Sequence, residues 1–184
     1  GGVMADLADL RPGDRLWSVA DPDTMSGLRN PCVAALRSGA TIVVPVGPDG
    51  HGPLAAADLV RRSGVDVVAA GPVFISALAS ASTRVTSLGR LRLLLSTGGR
   101  LEPEDTATVS SAWDVPVRDY YGLTETGGVC IGRRHNDASS ADGLIGRPIG
   151  AVVRIFDGEG RPVEAGDVGE LAVCGPGMFL SLIH

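Results

Sequence analysis

A ten-residue segment, DYYGLTETGG (residues 119–128), combines an aromatic ring, a hydroxyl and a carboxylate with three glycines. The ring of Tyr121 offers a flat surface on which a heterocycle can stack. Thr124 offers a hydroxyl to a phosphate group, and the Glu125 carboxylate is an oxygen ligand of the kind that Mg²⁺ takes together with nucleotide phosphates. These residue types at this spacing predict a site for a nucleotide and its metal ion.

A second glycine-bearing segment, STGGR (residues 96–100), follows the apolar run LRLLL. Gly98 and Gly99 lack a Cβ, so their backbone can approach a flat ligand closely. By itself this segment is equally compatible with a strand-to-helix turn, because glycine is common in turns. Neither segment has the spacing of a phosphate-binding P-loop or of the dinucleotide fingerprint, which makes a Rossmann-type cofactor domain the weaker alternative.

Both segments follow predicted strands of an α/β fold. Four apolar runs predict strands, at residues 41–46, 66–70, 91–97 and 115–121. Helical periodicity between these runs predicts helices over residues 53–64, 72–82 and 102–113. Strands that alternate with helices form right-handed crossovers and a mainly parallel sheet. Ligands of such sheets bind at the carboxyl ends of the strands, so the two segments are expected to meet if their strands are neighbours.

The sequence changes character in its last third. Residues 133–143 are polar and lack periodicity, which predicts a surface loop. The segments VVRIF and GELAVCG, joined through the turn residues 157–160, predict an antiparallel hairpin. We therefore predict an α/β unit over residues 1–143 and the start of a β-rich, barrel-like unit over residues 144–184.

The composition argues against several classes of protein. With a net charge of −5, the chain lacks the basic surface typical of nucleic-acid-binding proteins. No apolar run approaches the ~20 residues of a membrane-spanning helix, and no leader resembles a signal peptide. The three widely spaced cysteines predict buried reduced thiols and a cytoplasmic protein. The three histidines have no neighbouring acid, serine or cysteine, so we assign them no chemistry.

Several segments, in order along nearly the whole chain, resemble motifs of the adenylate-forming superfamily of acyl- and aryl-CoA synthetases, luciferases and peptide-synthetase adenylation domains. YYGLTETGG resembles its Tyr-Gly-Leu-Thr-Glu signature, and LRLLLSTGGRLEPE is similar to its Ser-Gly-Gly-Ala-Pro-Leu segment. LRPGDRLWSVADPDTMSGL and ALRSGATIVVPV resemble earlier family segments. The stretch from GLIGRPIG to GELAVCG is similar to the Gly-Arg-Pro, Asp-x-x-Gly and Gly-Glu-Leu motifs.

This resemblance implies an enzyme that joins a carboxylic acid to the α-phosphate of ATP, releases pyrophosphate, and transfers the acyl group to a thiol of CoA or a carrier protein. It implies two catalytic residues, Thr124 contacting phosphate and Glu125 binding Mg²⁺. Tyr121 is expected to stack on adenine, and Asp119 to accept a hydrogen bond from the adenine amino group. The implied residues for binding ATP or AMP are Gly98, Gly99, Arg100, Asp119, Tyr120, Tyr121 and Gly122. The implied acid-binding residues are Thr24, Leu28, Tyr120, Gly127 and Gly128.

Three departures from the family pattern concern the acid pocket, the adenine platform and the end of the chain. Thr24 stands where many acyl- and aryl-CoA synthetases have a histidine, which makes an aryl substrate less certain. Arg100 replaces the usual proline after the glycine pair, which predicts a change in the backbone surface on which adenine lies. Ser181 and Leu182 stand where a Gly-Tyr pair is expected.

The 184 residues also lack family motifs that the reaction needs. The phosphate loop, the ribose-binding aspartate, the hinge and the C-terminal lid with its lysine are absent from the sequence. We therefore expect a middle piece of a ~500-residue enzyme, inactive by itself. The alternatives are a peptide-synthetase-type adenylation domain that loads a carrier protein and a non-catalytic relative that keeps the fold.

Overall fold

The computed structural model describes residues 2–44, 52–133 and 143–178 as an α/β fold. The strands are β1 (Arg15–Ser18), β2 (Thr41–Ile42), β3 (Val67–Ala70), β4 (Leu93–Ser96), β5 (Val117–Tyr121), β6 (Ile131–Gly132), β7 (Arg147–Pro148), β8 (Val152–Phe156) and β9 (Glu170–Cys174). The helices are α1 (Gly2–Ala8), α2 (Asn30–Arg37), α3 (Pro53–Ser63), α4 (Pro72–Ala81) and α5 (Pro103–Trp113), with a single-turn π-helix (Met25–Arg29) before α2.

The larger sheet has seven strands in the order β2-β1-β3-β4-β5-β6-β7. Strands β1 to β5 pair in parallel, whereas β6 and β7 are added in antiparallel orientation at one edge. The expected mainly parallel sheet is therefore confirmed. All side chains of β3 and β4 are buried, as expected for strands whose two faces are both covered by helices.

Helices cover both faces of this sheet. On one face, Leu94 of β4 packs in a core that includes Val109 of α5 and apolar side chains of α3 and α4. On the other face, Leu95 packs in a core that includes Leu7 of α1 and Ala34 of α2. Because successive side chains of a strand point to opposite faces, each strand contributes to both cores. We refer to these surfaces as the α3–α5 face and the α1/α2 face.

The three predicted helices are confirmed as α3, α4 and α5. Each begins with proline, which suits the first helical turn because its missing N–H would have no partner there. The residue after α3 is Gly64, whose left-handed conformation (φ 57°) ends the helix in the way expected for glycine. Asp114 ends α5 in the same conformation (φ 56°), although its side chain makes that conformation less favourable.

Strand β1 was not predicted, yet it lies inside the sheet between β2 and β3. Its sequence, RLWS, is too short to show an apolar run or a regular alternation. Tertiary packing stabilises it, because Leu16 joins the core of the α1/α2 face and Trp17 joins that of the α3–α5 face. The ring of Trp17 meets Phe74 edge to face, with ring centroids 5.4 Å apart.

The predicted hairpin is confirmed, since β8 and β9 pair antiparallel from Val152 and Cys174 to Phe156 and Glu170. Strand β7 lies beyond the expected boundary at residues 143 and 144, but it pairs with β6 in the larger sheet. The separate sheet therefore begins with β8. The division into two units and the barrel-like character of the second remain predictions.

Some predicted features lie outside the described residues. They are the end of the first predicted strand (45–46), most of the polar loop (134–142), the three histidines His51, His135 and His184, and the departures at Ser181 and Leu182. Within the ranges that the structure describes, no helix has the length and apolar character needed to cross a bilayer.

The three cysteines are free thiols, but they differ in exposure. Cys32 and Cys130 are buried as predicted, whereas Cys174 is exposed at the end of β9, so the expectation of burial is wrong there. Burial raises the pKa of the Cys32 and Cys130 thiols. Both therefore remain protonated at neutral pH and are poor nucleophiles.

Candidate functional site

The two glycine-bearing segments leave the sheet at the same edge. Strands β4 and β5 are direct parallel neighbours, with Leu94 opposite Val117 and Ser96 opposite Asp119. Residues 97–100 therefore emerge beside residues 122–128, at the carboxyl ends of two adjacent strands. The expectation that these segments meet depended on their strands being neighbours, and the strand order confirms that condition.

The Gly98–Gly99 backbone is open to solvent at this edge. Both glycines are exposed, and no atom lies within 4 Å of the position that a Cβ on Gly98 would take. Gly98 also has a φ of +86°, a conformation that favours glycine. Gly99 packs against the first residue of α4, because a Cβ on it would lie 3.5 Å from Cγ of Pro72. A flat ligand therefore has access to bare backbone beside the start of α4.

Alternation along β5 separates the two tyrosines. Val117 packs in the core of the α3–α5 face, so Asp119 and the half-buried Tyr121 point toward that face as well. Tyr120 points the other way and is buried in the core of the α1/α2 face. The structure therefore brings Tyr121 and Asp119 to the same side as the start of α4, and it separates Tyr120 from these nucleotide-site candidates.

Residues 122–128 form a closed loop whose tip carries Thr124 and Glu125. The hydroxyl of Thr126 donates to the Leu123 carbonyl at 2.9 Å and accepts from the Leu123 N–H at 2.9 Å. Backbone bonds from Thr126 and Gly128 to the same carbonyl, at 3.2 and 3.0 Å, complete the turn. Thr124 and Glu125 are both exposed, and neither side chain has a hydrogen bond or ion pair among the described residues. The loop therefore presents a free hydroxyl and a free carboxylate side by side.

The glycines of this loop are required by close backbone contacts. A Cβ on Gly122 would overlap the carbonyl oxygen of Gly128, and one on Gly127 would overlap the carbonyl oxygen of Gly177. A Cβ on Gly128 would overlap the side-chain amide of Asn30. The resemblance implied that Gly127 and Gly128 bind the acid, but the space that a side chain at each position would take is filled by Gly177 and Asn30 respectively.

Thr24, predicted to bind the acid, caps the π-helix. Its hydroxyl accepts from the N–H of Gly27 at 3.0 Å and donates to the carbonyl of Asp21 at 2.7 Å. Both bonds hold the segment that leads into α2, which is the helix that carries Asn30. The side chain of Leu28, the other candidate in this segment, is not among those that the structure describes.

Three buried polar atoms near this edge have no hydrogen-bond partner among the described residues, namely Ser96 Oγ, Asp119 Oδ1 and the Tyr120 hydroxyl. Ser96 and Asp119 are cross-strand neighbours on the α3–α5 face. The other carboxylate oxygen of Asp119 accepts a hydrogen bond from Nη2 of Arg133 at 3.2 Å. Because buried polar groups are nearly always paired, these atoms indicate where a ligand or water completes the structure.

Sequence reasoning missed four residues at this site: Asn30, Ser96, Thr126 and Arg133. Ser96 had a detectable signal, because a polar residue ends an otherwise apolar strand. Thr126 lies within the signature but was not distinguished from its neighbours. Asn30 and Arg133 carried no local signal, since each acts through a contact with a residue distant in the sequence.

The burial of the Tyr120 hydroxyl leads to a prediction about how the stability of the protein depends on pH. Burial raises its pKa to about 12, and the nearby Thr97 side chain opposes this shift without a hydrogen bond of normal geometry to the hydroxyl. The folded chain therefore holds the phenolic proton more tightly than the unfolded chain, whose tyrosine pKa is about 10. Stability from this residue is complete below about pH 10 and is lost as the pH rises toward about 12.

We expect Tyr120→Phe to leave the free energy of unfolding at pH 8 unchanged or to raise it by up to about 1 kcal/mol, because it removes an unpaired hydroxyl. It should also reduce the loss of stability between pH 8 and pH 11. Urea unfolding of both proteins at the two pH values measures this difference. An equal loss in wild type and variant would contradict the buried environment of Tyr120.

The donor groups fit a magnesium ion shared with a nucleotide. Within the described part of the chain, no three His, Cys, Asp or Glu side chains come together to hold a metal. The exposed Glu125 carboxylate is a hard oxygen ligand, and Mg²⁺ commonly takes one or two carboxylates with phosphates and water.

Two clefts of about 540 and 310 Å³ lie away from this site, one between α1 and the end of α2 and the other beneath the end of α5. Gly98 and Gly99 themselves are exposed to solvent.

Comparison with known proteins relates this arrangement to a family. The family described as AMP-binding enzyme matches residues 2–182. The acetyl-coenzyme A synthetase of Escherichia coli (strain K12) is 29% identical over an alignment of 180 positions that covers 90% of this chain and 26% of that protein. The salicyl-AMP ligase / salicyl-S-ArCP synthetase of Mycobacterium tuberculosis is 33% identical over an alignment of 147 positions that covers 78% of this chain and 25% of that protein. The chain thus spans about a quarter of these curated relatives.

A solved structure shows the same fold. The crystal structure of an anthranilate CoA ligase in complex with anthranoyl-AMP matches with a TM-score of 0.84 at 22% identity, over 97% of this chain and 34% of that one. At this identity the likeness establishes the architecture, including the mainly parallel sheet and its flanking helices.

Proposed function

This chain belongs to the AMP-binding enzyme family, and we propose from that premise that it forms the central part of a longer acid-thiol ligase. This ligase activates a carboxylic acid as an acyl-adenylate, releases pyrophosphate, and transfers the acyl group to CoA. The match over residues 2–182 and the relatives named acetyl-coenzyme A synthetase and salicyl-AMP ligase support the proposal. The activity is assigned to a longer protein because the chain spans about a quarter of those relatives.

The observation that carries the proposal is the meeting of the Gly98–Gly99 backbone and the loop 122–128 at one sheet edge. We place adenine between the exposed glycine backbone and the ring of Tyr121, because both lie on the side where α4 begins. The unpartnered oxygen of Asp119 supplies an acceptor for the amino group of adenine. Guanine carries a carbonyl oxygen at the corresponding position, so an acceptor there favours adenine.

The loop tip accounts for the chemistry at the α-phosphate. A carboxylate attacks polyanionic ATP poorly unless the charge that develops in the transition state is stabilised. Glu125 would hold a Mg²⁺ ion, whose positive charge would stabilise the negative charge that develops on the phosphate oxygens. Thr124, beside Glu125, donates its hydroxyl to a phosphate oxygen. Because the Thr126 hydroxyl closes the loop, both groups are held in a defined relation before the nucleotide binds.

We extend the proposal to the identity of the thiol acceptor and to the cellular location of the enzyme. We assign CoA as the acceptor, with the thiol of a carrier protein as the alternative that a peptide-synthetase-type adenylation domain would use. The buried free thiols of Cys32 and Cys130 support a cytoplasmic location, because the cytosol keeps cysteines reduced.

Pyrophosphate exchange tests the proposed function. The product of the complete reading frame that contains these residues is incubated with ATP, Mg²⁺, labelled pyrophosphate and a panel of fatty, aryl and amino acids. We expect exchange with at least one acid, and none from the 184-residue chain alone. Absence of exchange with every acid would contradict the ligase assignment. Exchange by the 184-residue chain would contradict the proposal that it works as part of a longer enzyme.

A further inference from the structure

A row of polar residues crosses three neighbouring strands on the α3–α5 face. Ser96 at the end of β4 lies opposite Asp119 of β5. The antiparallel pairing of β5 with β6 continues by one residue beyond β6, since the Arg133 N–H donates to the Asp119 carbonyl at 3.4 Å. Residues directly opposite each other on paired strands share a face. The three side chains therefore stand side by side at the edge where adenine is placed.

The two carboxylate oxygens of Asp119 have different surroundings. Oδ2 accepts a hydrogen bond from Nη2 of Arg133 at 3.2 Å, within an ion pair whose side chains are 27% and 22% exposed. Oδ1 is buried and has no partner among the described residues. The guanidinium of Arg133 thus binds one oxygen and leaves the other for a ligand.

Arg133 determines which atoms of Asp119 remain for the purine. A guanidinium has donors only, so the side chain opposite it must turn an acceptor toward it. A partly buried carboxylate is costly without a counter-charge, and Arg133 supplies that charge. Ser96, on the other side of Asp119, is uncharged and its buried hydroxyl has no partner in the described part of the chain. Arg133 is therefore the cation of this row.

We propose that Arg133 is a positioning residue, which holds Asp119 with its free oxygen toward the 6-position of the purine and so selects an amino group there over a carbonyl. The inference rests on the placement of adenine in the proposed function, and it adds the residue that fixes base selection. Adenine carries an amino group at this position, whereas guanine carries a carbonyl oxygen, which a carboxylate repels.

Binding of ATP and ITP to the product of the complete reading frame tests this role, because the two bases differ at the 6-position and the adjoining ring nitrogen. The dissociation constants are measured with Mg²⁺ and without an acid. We expect ATP to bind roughly 10-fold or more tightly than ITP. Arg133→Met keeps a long side chain without the donors and the charge, and it should lower this preference about 10-fold.

An amide at position 119 should reverse the effect of Arg133. In Asp119→Asn the guanidinium still binds the side-chain oxygen, so the amide NH₂ group faces the purine and favours the carbonyl of ITP. Adding Arg133→Met frees the amide to turn its oxygen toward adenine. We therefore expect Arg133→Met to raise the preference for ATP about 5-fold in the Asp119→Asn background, although it lowers this preference in the wild type. A merely structural role of Arg133 would not produce this change of sign.

Control variants separate base selection from folding. Arg161→Met removes an arginine that pairs with Asp157 at 2.9 Å in the turn after β8, and it should keep the wild-type preference. An ATP preference that Arg133→Met leaves unchanged overturns the proposal. If Arg133→Met alone does not fold, the comparison of Asp119→Asn with the double variant decides, because neither contains an unpaired carboxylate. Equal preferences in these two proteins overturn the proposal.

Failure of the proposed function gives a different result. ATP binding with the expected change of sign, but without pyrophosphate exchange for any acid, would overturn the ligase assignment and support the role of Arg133. Exchange with an acid, together with equal affinity of the wild type for ATP and ITP, would overturn the role of Arg133 alone. Absence of binding of either nucleotide would overturn both.

Discussion

Replacing Glu125 with alanine lowers acid-dependent pyrophosphate exchange by the complete enzyme by on the order of 10²–10³-fold, the loss typical when a group that stabilises transition-state charge is removed. The carboxylate is exposed at the tip of the loop 122–128 and has no partner among the described residues. Its removal therefore leaves the free energy of unfolding within about 0.5 kcal/mol of wild type. Exchange rates measured over a range of Mg²⁺ concentrations should show a higher Mg²⁺ requirement in the variant.

A matched variant tests whether the effect is specific to this carboxylate. Glu164→Ala removes an exposed glutamate in the turn region between β8 and β9 and should keep wild-type exchange. Equal exchange by wild type and Glu125→Ala would remove Glu125 from the proposed metal site. A loss of exchange together with a lower unfolding temperature would instead assign Glu125 a structural role, which its exposure argues against.

Replacing Gly122 with alanine is expected to lower the free energy of unfolding by about 3 kcal/mol, at the upper end of the usual range for an overpacked site. The new methyl group would overlap the carbonyl oxygen of Gly128, which belongs to the backbone and cannot move aside as a flexible side chain would. The loop must open to accommodate it, which displaces Thr124 and Glu125. We therefore expect most pyrophosphate exchange to be lost as well, measured beside the thermal unfolding of the same protein.

Gly158→Ala is the matched control for this substitution. Gly158 lies in the turn after β8, and no atom is within 4 Å of the position that its Cβ would take. The same chemical change there should alter stability by less than about 0.5 kcal/mol and leave exchange unchanged. Wild-type stability and exchange in Gly122→Ala would show that the loop tolerates a different conformation from the one described.

Much of the fold could be predicted because buried parallel strands have a strong local signal. The apolar runs that form β3 and β4 are covered on both faces. The prolines and glycines that flank α3 and α4 are helix start and stop signals that can be recognised in the sequence. The order of the strands has no such signal. That β4 lies beside β5, which brings the two glycine segments together, follows from packing of the whole sheet.

The candidate site was predicted in its chemistry but not in its contacts. Residue types alone indicated roles for Tyr121, Thr124 and Glu125, and the resemblance to a family strengthened them. The overlap between Asn30 and Gly128 joins residues almost a hundred positions apart, and no local pattern encodes it. At Gly128 the lack of a Cβ makes room for the side chain of Asn30.

The contact between Gly127 and Gly177 has a mechanical consequence. A Cβ on Gly177 would lie 3.0 Å from the carbonyl oxygen of Thr126, so the segment that follows β9 rests on the loop itself. On its other side the loop rests on Asn30. The loop is thus packed between Gly177 and Asn30. A movement of the β8–β9 hairpin relative to the larger sheet would therefore displace the loop that carries Glu125. Because the backbone of the loop and the backbone after β9 are in close contact, little free volume between them can absorb such a movement.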